Sequence, residues 1–263
     1  MANFEIPPKV ERILQVLHEN GYEAYVVGGC VRDSLLGRRP EDWDITTSAS
    51  PMQVKRLFPR TIDTGIRHGT VTVMEGRESF EVTTYRIDGD YEDGRHPNQV
   101  TFTSSLEEDL KRRDFTINAM AYSHERGLVD LFGGLKDLRE GIIRCVGNPE
   151  ERFGEDALRM LRAVRFAAQL GFHVTDGVRG SIHELAYTLK KVSAERIQAE
   201  LVKLLVSPRP HWFRLAYECG ITAVVMPEFD RIMEQRQNNP HHAYSTGEHT
   251  LIAMKSIPED KAL

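Results

Sequence analysis

Two carboxylates, Asp42 and Asp44, stand two residues apart in the segment EDWDITTS. If DWDITTS is a strand, both acids leave the same face and Trp43 packs on the other. Such a pair repels itself unless a cation lies between the carboxylates. Mg²⁺ suits that position, because it takes one or two protein carboxylates and completes its octahedron with phosphate oxygens and water. A surface pair would look the same in isolation, so the neighbouring residues decide. Upstream, Gly28 and Gly29 follow the β-run EAYVV and precede the helix-like VRDSLLG. Glycines there let backbone N–H groups and a helix start approach a phosphate. Arg32, in the first turn, adds a charge-assisted contact. Glu81, an acid within the otherwise apolar FEVTTYR, is the candidate third carboxylate; its alternative is an outward-facing strand residue. The chemistry implied is metal-assisted reaction at a phosphate, with two ions about 4 Å apart.

The elements that must hold these residues follow from periodicity. Apolar spacing predicts a helix over residues 8–20, closed by Gly21. DWDITTS, TVTVMEG and FEVTTYR read as strands, and a short helix starts at Pro51 with Ser50 as its N-cap. The expected result is a small mixed β-sheet with helices on one side. DGDYEDGRHPN, residues 88–98, reads as a mobile loop. SLEEDLKRRD reads as a short helix, FTINAMAY returns to the sheet, and DLFGGLKDLREG forms a turn and helix at a domain junction. From about Pro149 the pattern is all helical. ERFGEDALRMLRAVRFAAQLG reads as one amphipathic helix closing on Gly171, with further helices at 177–189, 193–206 and 209–219. The expected division is an α/β head over residues 1–140, an all-α neck over 141–207 and a partial body over 208–263.

Composition bounds the partners. With 40% hydrophobic and 28% charged residues the chain reads as soluble and globular. MANFEIPPKVERILQVL lacks the order of a signal peptide, and no apolar run reaches the roughly 20 residues needed to cross a bilayer. Cys30, Cys145 and Cys219 are odd in number and widely spaced, so we expect free thiols, no membrane partner and a cytoplasmic location. The net charge of −5 excludes a uniformly basic surface, but not a local nucleic-acid patch. Arg159, Arg162, Arg165, Arg179, Lys190, Lys191, Arg196, Lys203, Arg209 and Arg214 concentrate in the second half; from charge alone they read first as solvated helix faces.

In order along the chain, GGCVRD…DWD, RRDFTINAMA, DLFGGLKD, EDALRMLRAVRF and ERIQAEL resemble the motifs of the class II tRNA nucleotidyltransferases. This family comprises the CCA-adding enzymes and bacterial poly(A) polymerases, on a DNA polymerase β-like nucleotidyltransferase fold. The resemblance runs over about residues 20–250. It implies addition of CMP, CMP and AMP from CTP and ATP to the tRNA 3′ end without a nucleic-acid template. By position, it implies that Gly28, Gly29 and Arg32 contact the triphosphate and that Asp42 and Asp44 hold the metals. Arg113, Asp114 and Asn118 of RRDFTINA would lie around ribose and phosphates. The 88–98 segment matches the family's flexible loop, which argues against a CC-only enzyme.

EDALR would be the nucleotide reader. Asp156 and Arg159, i and i+3 on one helix, are expected as neighbours. The carboxylate accepts from the amino group of cytosine or adenine, and the guanidinium donates to cytosine N3 and O2 or adenine N1. Uracil and guanine present the opposite pattern at both places. Arg162, a turn on, would meet the triphosphate, and ERIQAEL would brace the reading helix. The basic residues from 179 to 214 become a candidate surface for the tRNA acceptor end. The tail from His241 resembles the opening of an HD phosphohydrolase domain, with His249 at its first ligand position. Without the later His-Asp pair no second metal site is expected, and His242 and His249 read as surface histidines. The sequence up to Leu263 reads as truncated, with an inert RNA-binding module as the alternative from another class.

Overall fold

Val10, Ile13, Leu14 and Leu17 recur at helical spacing and are buried on one face of α1 (Pro8–Glu19), the first element of the chain. The computed structural model describes residues 4–89, 100–235 and 244–257. These divide into two compact units, one of residues 4–89 with 100–139 and one from residue 140 onwards.

The first unit is built on strands β1 (Ala24–Val27), β2 (Ile45–Thr47), β3 (Thr61–Gly65), β4 (Thr70–Glu75) and β5 (Glu78–Thr84). A separate ribbon pairs β6 (Arg86–Asp88) with β7 (Val100–Phe102), and β8 (Met120–Ser123) and β9 (Gly127–Asp130) complete the main sheet. The seven-stranded order is β3-β4-β5-β2-β1-β8-β9, larger than the patterning suggested. Its pairs are antiparallel except β2–β5, which are parallel in the register Ile45 to Val82. Helices α2 (Gly29–Leu35), α3 (Pro51–Leu57), α4 (Leu106–Lys111) and α5 (Gly134–Glu140) are inserted between the strands. Ser50 caps α3 as expected: its hydroxyl accepts from Gln53 N–H at 3.4 Å while the Gln53 side chain accepts from Ser50 N–H at 2.7 Å.

The DLFGG turn ties two motifs together. Asp130 accepts from Gly134 N–H at 2.8 Å and Leu135 N–H at 2.9 Å, and Asp137 accepts from the Thr116 hydroxyl at 2.7 Å. A Cβ on Gly134 would sit 2.2 Å from the Thr116 carbonyl oxygen, so only glycine fits.

The second unit holds α6 (Pro149–Glu155), α7 (Leu158–Leu170), α8 (Asp176–Leu185), α9 (Ala194–Leu205), α10 (Phe213–Glu218), α11 (Thr222–Val225), α12 (Pro227–Glu234) and α13 (Thr246–Met254). A short parallel pair joins Ile142–Ile143 to His173–Val174. α7 ends at Gly171 with φ 74°, as the sequence implied, but its start differs. The expected single helix breaks at Asp156, whose backbone is extended with φ −143°. Aspartate favours that place because its side chain satisfies a helix-start N–H that has no partner within the helix. Among the described residues no helix is long and apolar enough to cross a membrane. Residues 90–99, the core of the expected loop, lie outside the described residues, as does His242.

Candidate nucleotidyl-transfer site

β1 ends at Val27 because Gly28, with φ 79°, turns the chain directly into α2. Nothing then remains to pair with residues 42 and 43, and β2 begins only at Ile45. Asp42 and Asp44 therefore precede the strand rather than lie on it, which corrects the expectation from DWDITTS. One rung still anchors them: Val27 N–H donates to the Asp44 carbonyl at 3.0 Å. Trp43 is half-buried and lines the same cleft as the two acids rather than packing on an opposite face. The parallel β2–β5 register, carried one residue back from Ile45 and Val82, sets Asp44 beside Glu81. All three acids line a cavity of about 1350 Å³ that also takes in Arg38, Arg39 and Arg77.

The acids act on one another. Asp44 is open to solvent on one side and crowded by protein on the other. That crowding raises its pKa, Arg113 offsets part of the rise, and Asp42 adds repulsion. The Glu81 carboxyl is likewise raised, first by loss of solvent and then by Asp44 and Asp42. Three hard oxygen donors, two of which disfavour their own ionisation beside the others, fit a divalent cation. Among the described residues no three His, Cys, Asp or Glu side chains close around an ion by themselves. Phosphate and water oxygens must then supply the remaining ligands, which is the usual Mg²⁺ arrangement.

Behind the acids runs a buried polar chain. Arg32 makes two bonds of 2.9 Å to Asp33 and donates to the Asn118 side-chain oxygen at 2.7 Å. Asn118 in turn donates to Asp114 at 3.1 Å, and Asp114 also accepts from Phe115 N–H at 2.8 Å. Arg32, Asp114 and Asn118 are thus brought together as a preorganised array. Arg113 lies against the glycine turn: a Cβ on Gly28 would meet its Nη1 at 3.0 Å. Its buried Nε has no hydrogen-bond partner among the described residues, a donor left for something else to meet.

The residue that sequence reasoning missed is Asp109. Fully buried on α4, it accepts from Arg112 at 3.0 and 2.9 Å and from the Thr46 hydroxyl at 3.0 Å, with Arg113 at 3.6 Å. Burial alone would raise its pKa, yet Arg112 and Arg113 and the bonds from Arg112 and Thr46 pull it below the ordinary carboxylate range. Arginines three and four residues on were the legible signal. Asp109→Ala leaves two cations without their buried partner and is expected to cost about 3–5 kcal/mol, measured by urea denaturation. The wild-type contribution is present above the unfolded carboxylate pKa and is lost as pH falls through the depressed folded value.

In the second unit, Asp156 and Arg159 do not lie on one continuous helix. The Asp156 side chain accepts from Leu158 N–H at 3.0 Å and from Arg196 at 2.7 Å. Arg159 instead bonds Glu155 and, at 3.2 Å, the Arg152 carbonyl. The helix break causes this, since it hands Asp156 a capping duty. Arg196, from ERIQAEL on α9, braces the acid directly. Arg162 faces Glu200 at 3.9 Å.

The basic concentration is less available than its charge suggested. Arg165 is buried against Glu200, Arg179 pairs with Glu218 at 3.2 Å, and Arg214 pairs with Glu248. Lys190, Lys191 and Lys203 are exposed, as is His249 on α13.

Residues 24–144 match the poly A polymerase head domain, and residues 171–233 match the family described as probable RNA and SrmB-binding site of polymerase A. The CCA-adding enzyme of Lactobacillus helveticus is 56% identical over 258 residues, covering 96% of this chain and 64% of that protein. That of Lactiplantibacillus plantarum is 49% identical over 221 residues, covering 84% of this chain and 53% of that protein. Among solved structures, the Bacillus stearothermophilus CCA-adding enzyme in complex with CTP superposes with a TM-score of 0.77 at 46% identity. It is matched over 84% of this chain and 54% of its own. The Thermotoga maritima CCA-adding enzyme complexed with tRNA gives 0.68 at 26% identity, over 89% and 55%. This chain spans between about half and two thirds of the length of these relatives. On sequence and fold together, the chain belongs to the class II tRNA nucleotidyltransferase family, that of the CCA-adding enzymes and bacterial poly(A) polymerases.

Proposed function

We propose that the protein adds CMP, CMP and AMP from CTP and ATP to the 3′ end of tRNA without a nucleic-acid template. The observation that carries this is the juxtaposition of Asp42, Asp44 and Glu81 at one cleft, with the Arg113 charge acting on Asp44. Residues 1–140 would be the catalytic head, 141–207 the neck and 208–263 the start of a body. A cytoplasmic location accords with three buried cysteines that form no disulfide.

In the reaction the terminal 3′ hydroxyl attacks the α-phosphorus. A P–O bond forms there, the bond to the β-phosphate oxygen breaks, and pyrophosphate leaves. Mg²⁺, held by Asp42 and Asp44, would lower the hydroxyl's pKa and neutralise phosphate charge. Glu81 adds a third negative charge beside Asp44 and strengthens the hold on a cation. Gly28 and Gly29 let the turn approach the triphosphate without a side chain in the way. Arg113 reaches the turn and meets developing negative charge with its unsatisfied donor. Arg32, fixed by Asp33 and Asn118, adds a preset cation, and Asp114 with Asn118 holds it in place. By its place in the family motif, Arg162 would supply a further cation to the triphosphate.

Base selection is assigned to Asp156 and Arg159. A carboxylate has about four lone-pair sites; Leu158 and Arg196 use two, which leaves acceptors for an exocyclic amino group. Arg159 supplies the complementary donors.

Incubating the chain with tRNA lacking CCA and one nucleotide at a time tests the reading. CTP alone should extend the RNA by two residues, and ATP alone should add nothing. Incorporation of A without prior C would favour an A-adding enzyme or poly(A) polymerase.

The raised carboxylates give a second expectation. Their stabilising share is fully present below the unfolded carboxylate pKa and is lost as pH rises through the raised folded values of Asp44 and Glu81. Mg²⁺ at 100 times its Kd should therefore stabilise the protein at pH 7 by about 2.7 kcal/mol, read as a rise in Tm. That gain should fade in acid and vanish in Asp42→Asn/Asp44→Asn.

A further inference from the structure

Within the helical unit lies a second cavity, of about 290 Å³, beside the His173–Val174 strand, α8 and residues 211–218. Phe172, Val174 and Leu215 give it an apolar floor. His173 and Trp212 supply two rings, 31° from parallel with centroids 6.3 Å apart. Its volume falls just short of the roughly 300–1,000 Å³ of small-molecule sites. It therefore takes one planar ring system and not a nucleoside triphosphate.

Two further features point to a ligand. Arg179 and Arg214 line the cavity, and their pairs with Glu218 and Glu248 are partly exposed to solvent. Ion pairs of that kind are weak in water, so an incoming phosphate competes for the guanidinium groups. His211 lines the cavity too, and its buried Nδ1 has no hydrogen-bond partner among the described residues. Burial first, then Lys255, Arg209 and Arg214, lowers the His211 pKa, so the ring is neutral at pH 7. Its Nδ1 is then a donor or an acceptor according to tautomer. A water molecule would satisfy that nitrogen, but it would use neither the rings nor the cations.

We infer that this cavity binds one unpaired nucleobase of the RNA substrate. The base stacks on Trp212 and His173, its edge meets His211 Nδ1, and its backbone phosphate meets Arg179 and Arg214. The inference rests on the reading of the chain as a tRNA nucleotidyltransferase, and it adds a contact remote in sequence from the Asp42–Asp44 chemistry.

The chain has two tryptophans, so Trp43→Phe leaves Trp212 as its sole indole fluorophore. Titration with a short unstructured oligoribonucleotide should quench that fluorescence saturably, whereas an abasic strand of the same length should not. Arg179→Gln and Arg214→Gln should weaken the oligonucleotide and flatten its salt dependence by about one unit per lost phosphate contact. Trp212→Ala should weaken binding of tRNA lacking CCA about 5- to 150-fold, with Trp212→Phe restoring most of it. His173→Ala, at an exposed position, gives a second variant that does not depend on core packing. Equal quenching by the abasic strand would overturn the proposal, as would unchanged tRNA binding by both alanine variants. Quenching in that variant, with no nucleotide incorporation by the unmutated chain, would sink the functional reading and leave the site standing. Normal incorporation without quenching would sink the site alone.

Discussion

Asp44→Ala is expected to lower nucleotide incorporation by about 10²–10³-fold or more, the scale seen when a preorganised electrostatic partner of a transition state is removed. The same change should leave the melting temperature unchanged or higher. Asp44 is held where ionisation is disfavoured, by crowding and by Asp42, so its removal relieves repulsion that the fold otherwise bears. That pairing of lost activity with retained or improved stability marks a residue kept for chemistry rather than packing. A fall in both together would mean that Asp44 acts through the β1–β2 junction instead. The bond from Val27 argues against that, because it uses the Asp44 carbonyl, which alanine keeps. Incorporation kinetics and a thermal melt on one preparation separate the outcomes.

The second large effect belongs to Asp156→Ala. Loss of a charge-assisted hydrogen bond to the base amino group costs about 1.5–3 kcal/mol, or roughly 10- to 150-fold in kcat/KM for CTP and ATP. Discrimination against UTP and GTP should shrink by more than activity falls, because the rejected bases no longer face a misplaced acceptor. Unlike Asp44→Ala, this change should also destabilise. Asp156 caps α7 and holds Arg196, and a lost cap alone costs about 0.5–2 kcal/mol. Asp156→Asn makes the comparison sharper: it retains a capping oxygen but offers an amide in place of a full carboxylate. It should keep most of the stability while still losing nucleotide selectivity.

Much of the first unit was legible because its signals are local. The Ser50 capping box, the β1–Gly28 turn, the alternation in β4 and β5 and the spacing in α1 each follow from a few adjacent residues. β3 was missed because it is exposed along its middle and carries little apolar pattern, and β9 because it is half-buried throughout. Asp42 and Asp44 lie close enough to repel each other, but they precede β2 rather than lie on it. Strand length depends on where the partner strand ends, and Gly28 sets that from elsewhere in the chain. Asp156 shows the opposite error: helical spacing ran straight through it, although an aspartate two residues after Gly154 was a cap signal in plain view. The basic residues of the second half could not be sorted from sequence. Their partners Glu200, Glu218 and Glu248 come from other helices, so only the fold shows which cations are already engaged. Asp109 was hidden for a related reason, since a buried carboxylate becomes tolerable only once Arg112 and Thr46 surround it.

The most direct test gives the protein tRNA lacking its 3′ CCA, all four nucleoside triphosphates and Mg²⁺, and measures the mass of the product. The expected product is longer by two cytidylates and one adenylate, with growth stopping there and no uridylate or guanylate incorporated. A homopolymeric adenylate tail, or incorporation of all four nucleotides, would contradict the account.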